Sequence, residues 1–143
     1  MGLSRPVLPA REELDLPKID VAIVEDDQSV RRATDHLLRL LDYTTASFAS
    51  AEDFLNSGFV RDTTCLVTDV RLPGMSGIEL QERLASEGHC MPIVFITAFP
   101  DEVIRSLVLK AGALGYLSKP LHEQCLLACV ERALKRPGQG LAS

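Results

Sequence analysis

The sequence predicts an α/β fold: a doubly wound, five-stranded parallel sheet with five helices spread over its two faces. Five short apolar stretches alternate with five segments of helical character, the order that parallel strands joined by right-handed crossovers require. The apolar stretches are continuous rather than alternating, as expected for strands covered on both sides. At 143 residues the chain is the size of one ordinary domain, with no room for two.

The elements follow in order. Ile19 to Val24 is a short apolar run stopped by three acids, Glu25, Asp26 and Asp27, and reads as a buried first strand. Gln28 to Leu41 reads as a helix whose buried stripe is Val30, Ala33, Leu37 and Leu41. Thr44 to Phe48 is the second strand. Ser50 caps a short helix with Glu52 and Asp53 in its first turn, where negative charge suits the helix dipole.

Thr64 to Thr68 is the third strand, followed by Asp69 and a Pro73-Gly74 turn. Ser76 opens a helix toward Glu87, with Leu80 and Leu84 one turn apart. Pro92 to Thr97 is the fourth strand. Asp101 to Ala111 is helical, with Ile104, Leu107, Val108 and Ala111 on one face and Gly112 at its end. Gly115 to Ser118 is the fifth strand and Leu121 to Arg136 the last helix. Residues 1–18, with Pro6, Pro9 and Pro17, read as a loose extension, and 136–143 as a tail or the start of a linker.

An apolar fraction of 46% with 24% charged residues is that of a soluble globular protein. No apolar run approaches a bilayer span. The amino end lacks the apolar stretch of a signal peptide, and Pro6 stands where a myristoylation pattern wants Ser or Thr. The expectation is a cytoplasmic protein without a membrane partner. A net charge of −5 and the lack of a Lys/Arg cluster argue against a nucleic-acid surface on this segment. Cys65, Cys90, Cys125 and Cys129 have neither zinc-site spacing nor a disulfide framework and read as buried, reduced thiols. Cys125 and Cys129, four apart on one helix, leave a shared metal site as the alternative. His36, His89 and His122 read as surface residues.

In an open parallel sheet the ligand crevice lies at the carboxyl ends of the strands. There the strand assignment puts Glu25, Asp26 and Asp27 on strand one, Asp69 on strand three, Thr97 on strand four and Lys119 on strand five. Clustered carboxylates are hard oxygen ligands that suit Mg²⁺. A carboxylate can also be the nucleophile that forms an aspartyl phosphate. A metal ion, an ammonium and a hydroxyl together neutralise and orient a transferring phosphoryl group. Each residue also has an ordinary reading: Asp69 a turn cap, Lys119 a solvated strand end, Thr97 a hydroxyl spent on the backbone, Tyr116 plain packing.

Val24-Glu-Asp-Asp27, Leu66-Val-Thr-Asp-Val-Arg-Leu-Pro-Gly-Met-Ser-Gly77, Ile96-Thr-Ala98 and Gly115-Tyr-Leu-Ser-Lys-Pro120 resemble the signature blocks of response-regulator receiver domains of two-component systems. The likeness covers residues 19–135 and is nearest to receivers of helix-turn-helix transcriptional regulators. It implies a flavodoxin-like sheet of order 2-1-3-4-5. It also implies Asp69 as phosphoacceptor, with Mg²⁺ held by Glu25, Asp26, Asp69 and the backbone carbonyl of Arg71. Thr97, Ala98 and Lys119 would bind the phosphoryl group, Thr97 and Tyr116 would form the switch, and Lys119-Pro120 would be cis. The family's usual acid pair is two aspartates, so Glu25 is a departure, and its longer side chain is expected to reach the metal through water. Asp27 is read as a peripheral third acid, and the Arg71 side chain as a residue at the mouth of the site that tunes phosphate lifetime.

The implied function is a phosphorylation-controlled switch that takes a phosphoryl group from a sensor histidine kinase or phosphotransfer protein. Its output face would be helix four, strand five and helix five, with a homodimer through that face as one form of output and transcriptional control as its purpose. Apolar residues Leu126, Leu127, Val130 and Leu134 on the last helix permit such a dimer. Two rival readings differ from this. A haloacid-dehalogenase-like phosphatase needs a second Asp two residues after the nucleophile, but position 71 is Arg. The other rival is a receiver-like binding module that works without phosphate.

Overall fold

The structure, a computed structural model, describes residues 18–142, with side chains through residue 135. The expected amino-terminal extension lies outside the described residues, apart from Lys18. Five parallel strands form one sheet: β1 (Ile19–Val24), β2 (Thr45–Phe48), β3 (Thr63–Asp69), β4 (Ile93–Thr97) and β5 (Gly115–Ser118), in the order β2-β1-β3-β4-β5. The helices are α1 (Gln28–Leu40), α2 (Ala51–Leu55), α3 (Gly77–Ser86), α4 (Glu102–Lys110) and α5 (Glu123–Ala142), with a single 3₁₀ turn at Val60–Asp62. The predicted fold class and strand order are those observed.

Strand side chains alternate between two apolar layers, and both layers are filled. Val21, Ile23, Cys65, Val67, Val94 and Ile96 meet Leu38 of α1 and Leu126, Val130 and Ala133 of α5. Ala22, Val24, Leu66 and Phe95 meet Phe54 of α2, Leu80 and Leu84 of α3 and Val108 of α4. The middle positions of the central strands are therefore apolar, with polar residues such as Thr63, Thr68, Asp69 and Thr97 near their ends, which is why the sequence shows continuous apolar runs. Ser50 caps α2 by accepting from the Asp53 N–H, and Ser76 with Glu79 forms a reciprocal capping box on α3.

Two helical stripes differ from expectation. In α1 the buried residues are Thr34 and Leu38, while Ala33 is exposed and Leu41, at the C-cap, is 46% exposed. The Thr34 hydroxyl donates to the Val30 carbonyl at 2.9 Å, which removes the cost of burying it. A polar residue can thus hold the place the apolar pattern assigned one position earlier. In α4 only Val108 is fully buried and Ile104 partly so, whereas Leu107 is 52% exposed and Ala111 exposed. This helix packs beside the edge strand β5, where the sheet ends and covers one flank only.

The last helix starts at Glu123 and continues to Ala142, beyond the expected end at Arg136. Of the four cysteines, Cys65 and Cys129 are buried, but Cys90 and Cys125 are exposed. Burial pushes the Cys65 thiol up to about 12, with Cys129 adding to the shift. No helix among the described residues is long and apolar enough to cross a membrane.

Candidate functional site

The carboxyl ends of β1, β3, β4 and β5 converge because parallel strands all finish at one edge of the sheet. Register fixes the convergence: Val24 pairs Thr68, Asp69 pairs Ile96, and Thr97 pairs Ser118. The Lys119 N–H then donates to the Thr97 carbonyl at 2.8 Å and carries the lysine back over the site. The Lys119-Pro120 peptide is cis, as the family resemblance implies.

Lys119 Nζ stands 2.8 Å from Asp69 Oδ2 and 2.9 Å from Glu25 Oε1. It therefore ties β5 to β3 and β1 at once. Glu25 is almost wholly buried, and its Oε2 accepts from the Asp27 N–H at 3.1 Å. Asp69 is also buried, and its Oδ1 accepts from the Arg71 N–H at 3.2 Å. Asp26 is exposed, yet one carboxylate oxygen from each of Glu25, Asp26 and Asp69 lies within 4.8 Å of the others. Asp27 turns away to cap α1, accepting from the Val30 N–H, in keeping with a peripheral role.

Burial raises the Glu25 pKa, the nearby Asp69 charge adds to this, and the Lys119 contact only partly offsets it. For Lys119 burial works in the opposite sense, but the Asp69 and Glu25 carboxylates outweigh it and hold the ammonium above its ordinary value. When ionised, three carboxylates against one ammonium leave an excess of two negative charges. Such a cluster is relieved by a cation or by proton uptake. Its donors are all oxygens, and the two Glu25 oxygens are already engaged, so the set fits a hard divalent ion that keeps several of its waters.

Thr97 is buried, and its Oγ1 accepts from the Phe99 N–H at 3.0 Å, leaving its own proton free to donate elsewhere. Ala98, next to it, is exposed. Tyr116 lies half-buried on β5, with its hydroxyl at 3.1 Å from the Asp101 N–H, which donates to it at the start of α4. Gly77 opens α3 in direct contact with the phosphoacceptor candidate's backbone. A Cβ there would fall 2.1 Å from the Asp69 carbonyl oxygen, so any side chain would push α3 off the site.

Two residues at the site escaped the sequence reading. Arg31 donates from Nη1 to the Glu25 carbonyl at 2.7 Å, pinning the acidic loop. A cation in the first turn of a helix opposes the helix dipole, and that was the available cue. Phe99 lies under the Arg71 guanidinium, 4.7 Å from Cζ to the ring centroid. Nothing in the spacing pairs these two residues; the fold alone brings them together. Of the histidines, His36 and His122 are exposed, whereas His89 is half-buried with Nε2 4.0 Å from Glu87 Oε1.

Comparison with known proteins agrees with this geometry. The family model described as the response regulator receiver domain matches residues 21–131. Nodulation protein W of Bradyrhizobium diazoefficiens is 42% identical over 119 residues, which are 83% of this chain and 52% of that protein. Response regulator protein TmoT of Ectopseudomonas mendocina is 36% identical over 125 residues, 87% of this chain and 57% of that protein. The chain thus spans about half the length of the curated relatives it matches. Among solved structures, response regulator StyR superposes with a TM-score of 0.79 at 42% identity, covering 86% of this chain and 62% of that one. The FixJ-N crystal structure gives 0.72 at 32% identity, covering 82% of this chain and 94% of that one. With the fold, the strand-end acids and lysine, and a family match over most of its length in agreement, the chain belongs to the response regulator receiver domain family.

Proposed function

We propose that Asp69 is the phosphoacceptor of a switch charged by a sensor histidine kinase or phosphotransfer protein with Mg²⁺, and that the protein works in the cytoplasm. The observation that carries this is the Asp69 carboxylate, buried at a strand end between the Lys119 ammonium and two further acids. An Asp69 carboxylate oxygen attacks phosphorus, the P–N bond of a phosphohistidine breaks, and the imidazole leaves with the bonding pair. Lys119, already 2.8 Å from Asp69 Oδ2, follows the charge onto the phosphoryl oxygens. Thr97 donates its free proton to one of those oxygens, and the peptide next to Ala98 borders them. Asp26, Asp69, the Arg71 carbonyl and, through water, Glu25 are the groups suited to hold Mg²⁺. When bound, the ion neutralises charge that the carboxylates alone would repel.

The output is a population shift between two arrangements of the α4–β5–α5 face, since Thr97 and Tyr116 border it. Relatives named as transcriptional regulators support transcriptional control as the purpose. Incubation with acetyl phosphate, followed by intact-protein mass, tests the reading. A phosphate-sized gain is expected for wild type with Mg²⁺, and none without the metal or for Asp69→Ala. No gain for wild type, under conditions that modify a known receiver, would leave the phosphate-independent binding module as the better description.

A further inference from the structure

Between Asp69 and α3 the chain makes a turn, residues 70–76, that includes Arg71, the proposed source of a carbonyl ligand for the metal. Its two ends are held locally. The Arg71 N–H donates to Asp69 Oδ1, and the Gly77 N–H donates to the Val70 carbonyl at 2.9 Å. In its middle, Leu72 and Met75 pack against the core and Arg71 lies over Phe99, while one side chain among the described residues hydrogen-bonds to it from outside. Glu52 of α2 reaches across and accepts the Met75 N–H on Oε2 at 2.8 Å.

That contact is a fitted one. Gly74 beside it has φ +75°, and a Cβ on it would come within 2.7 Å of Glu52 Oε2. The backbone at 74 favours glycine, and any Cβ there would displace the carboxylate end of Glu52. The arm that presents Glu52 is stiff despite its shortness. Ala51 and Phe54 on either side are fully buried, and Phe54 packs on Phe48 with ring centroids 5.4 Å apart. The Met75 N–H also holds the Glu52 carboxyl below its ordinary range. A simpler role, complementing the dipole of α2, needs no such reach, and Asp53 in the same turn already supplies it.

We propose that Glu52 is a positioning residue for the metal half of the site: its hydrogen bond to Met75 fixes the 70–76 turn, so that the Arg71 carbonyl faces the Glu25–Asp26–Asp69 cluster. This rests on the reading of that cluster as a Mg²⁺ site. Loss of the bond leaves the carbonyl to sample orientations that do not serve the ion, and binding weakens without any change in the carboxylates themselves.

The test is a Mg²⁺ titration of wild type, Glu52→Ala and Glu52→Gln, by calorimetry and by amide chemical shifts, with hydrogen exchange at Met75 and thermal melts alongside. Glu52→Ala is expected to bind Mg²⁺ about tenfold more weakly and to exchange the Met75 amide faster, with little change in Tm. Glu52→Gln keeps an acceptor oxygen and is expected to recover most of the affinity. If Glu52→Gln is as weak as Glu52→Ala, long-range charge rather than the hydrogen bond is responsible and the proposal is overturned. Unchanged affinity in Glu52→Ala, with or without a lower Tm, overturns it as well. A wild type that binds no Mg²⁺ at all instead overturns the metal-site reading on which the proposal rests.

Discussion

Lys119 is the residue on which the site turns. Its ammonium is the only cation within bonding distance of the Asp69 and Glu25 carboxylates among the described residues. Removing it leaves two buried acids facing one another with nothing between them, which costs more than the loss of a surface pair. Lys119→Ala is expected to lose about 1–3 kcal/mol of stability in EDTA, the lower side of a buried-pair deletion because the lysine is partly exposed. A divalent ion neutralises the same charges, so Mg²⁺ should restore part of that loss. Urea denaturation of the variant with and without Mg²⁺ decides this, and an indifferent response to the metal would count against the carboxylate cluster as its site. The identities of these residues were legible from the strand-end rule and the family blocks. The second contact of Lys119, to Glu25, was not, because it depends on how far a side chain folds back over the sheet edge.

At the scale of elements, the apolar pattern found every helix but misplaced two of their faces. In α1, Thr34 and Leu38 pack on the sheet while Leu41 stands at the C-cap, half in solvent. Leu38→Ala is expected to cost about 2–5 kcal/mol, as for a fully buried leucine. Leu41→Ala should cost less than about 1 kcal/mol. Chemical denaturation of the two variants checks the difference, and equal losses would mean that α1 is rotated from the position described. A threonine that spends its hydroxyl on the preceding turn can be buried in a core, and hydropathy does not register that. In α4, Val103 and Leu107 remain exposed because the neighbouring strand is the sheet's edge. Which strand forms the edge is not written within the helix itself.

For the whole molecule, the proposed switch needs a route from Asp69 to the α4–β5–α5 face. Thr97 ends β4 and binds the backbone of the loop that follows, while Tyr116 on β5 is hydrogen-bonded to Asp101 at the head of α4. A phosphoryl group that draws the Thr97 hydroxyl toward itself pulls on the first contact, and the second closes the same loop at the head of α4. Phosphorylation with acetyl phosphate and Mg²⁺ is expected to shift amide resonances in residues 100–135 well beyond the site, and Tyr116→Phe to reduce those shifts. If the shifts stop at the site, or fall mainly on α1 and α2, the output face lies elsewhere. The ligand can bias the equilibrium only by its differential contacts with the two arrangements.

The sequence by itself determined the fold class, the order of elements, the caps at Ser50 and Ser76 and the residues gathered at one sheet edge. It could do so because strand burial, helix capping and the strand-end rule are local or topological facts. Tertiary structure alone decided that Glu25 shares Lys119 with Asp69 and that Arg71 rests on Phe99. It also decided that Glu52 holds the turn beyond Asp69 and that half of the cysteines are exposed. Those are contacts between side chains far apart in the chain, set by distances and rotamers that no periodicity encodes. The orientation of each helix about its own axis belongs with them, because it follows from the neighbour it packs against.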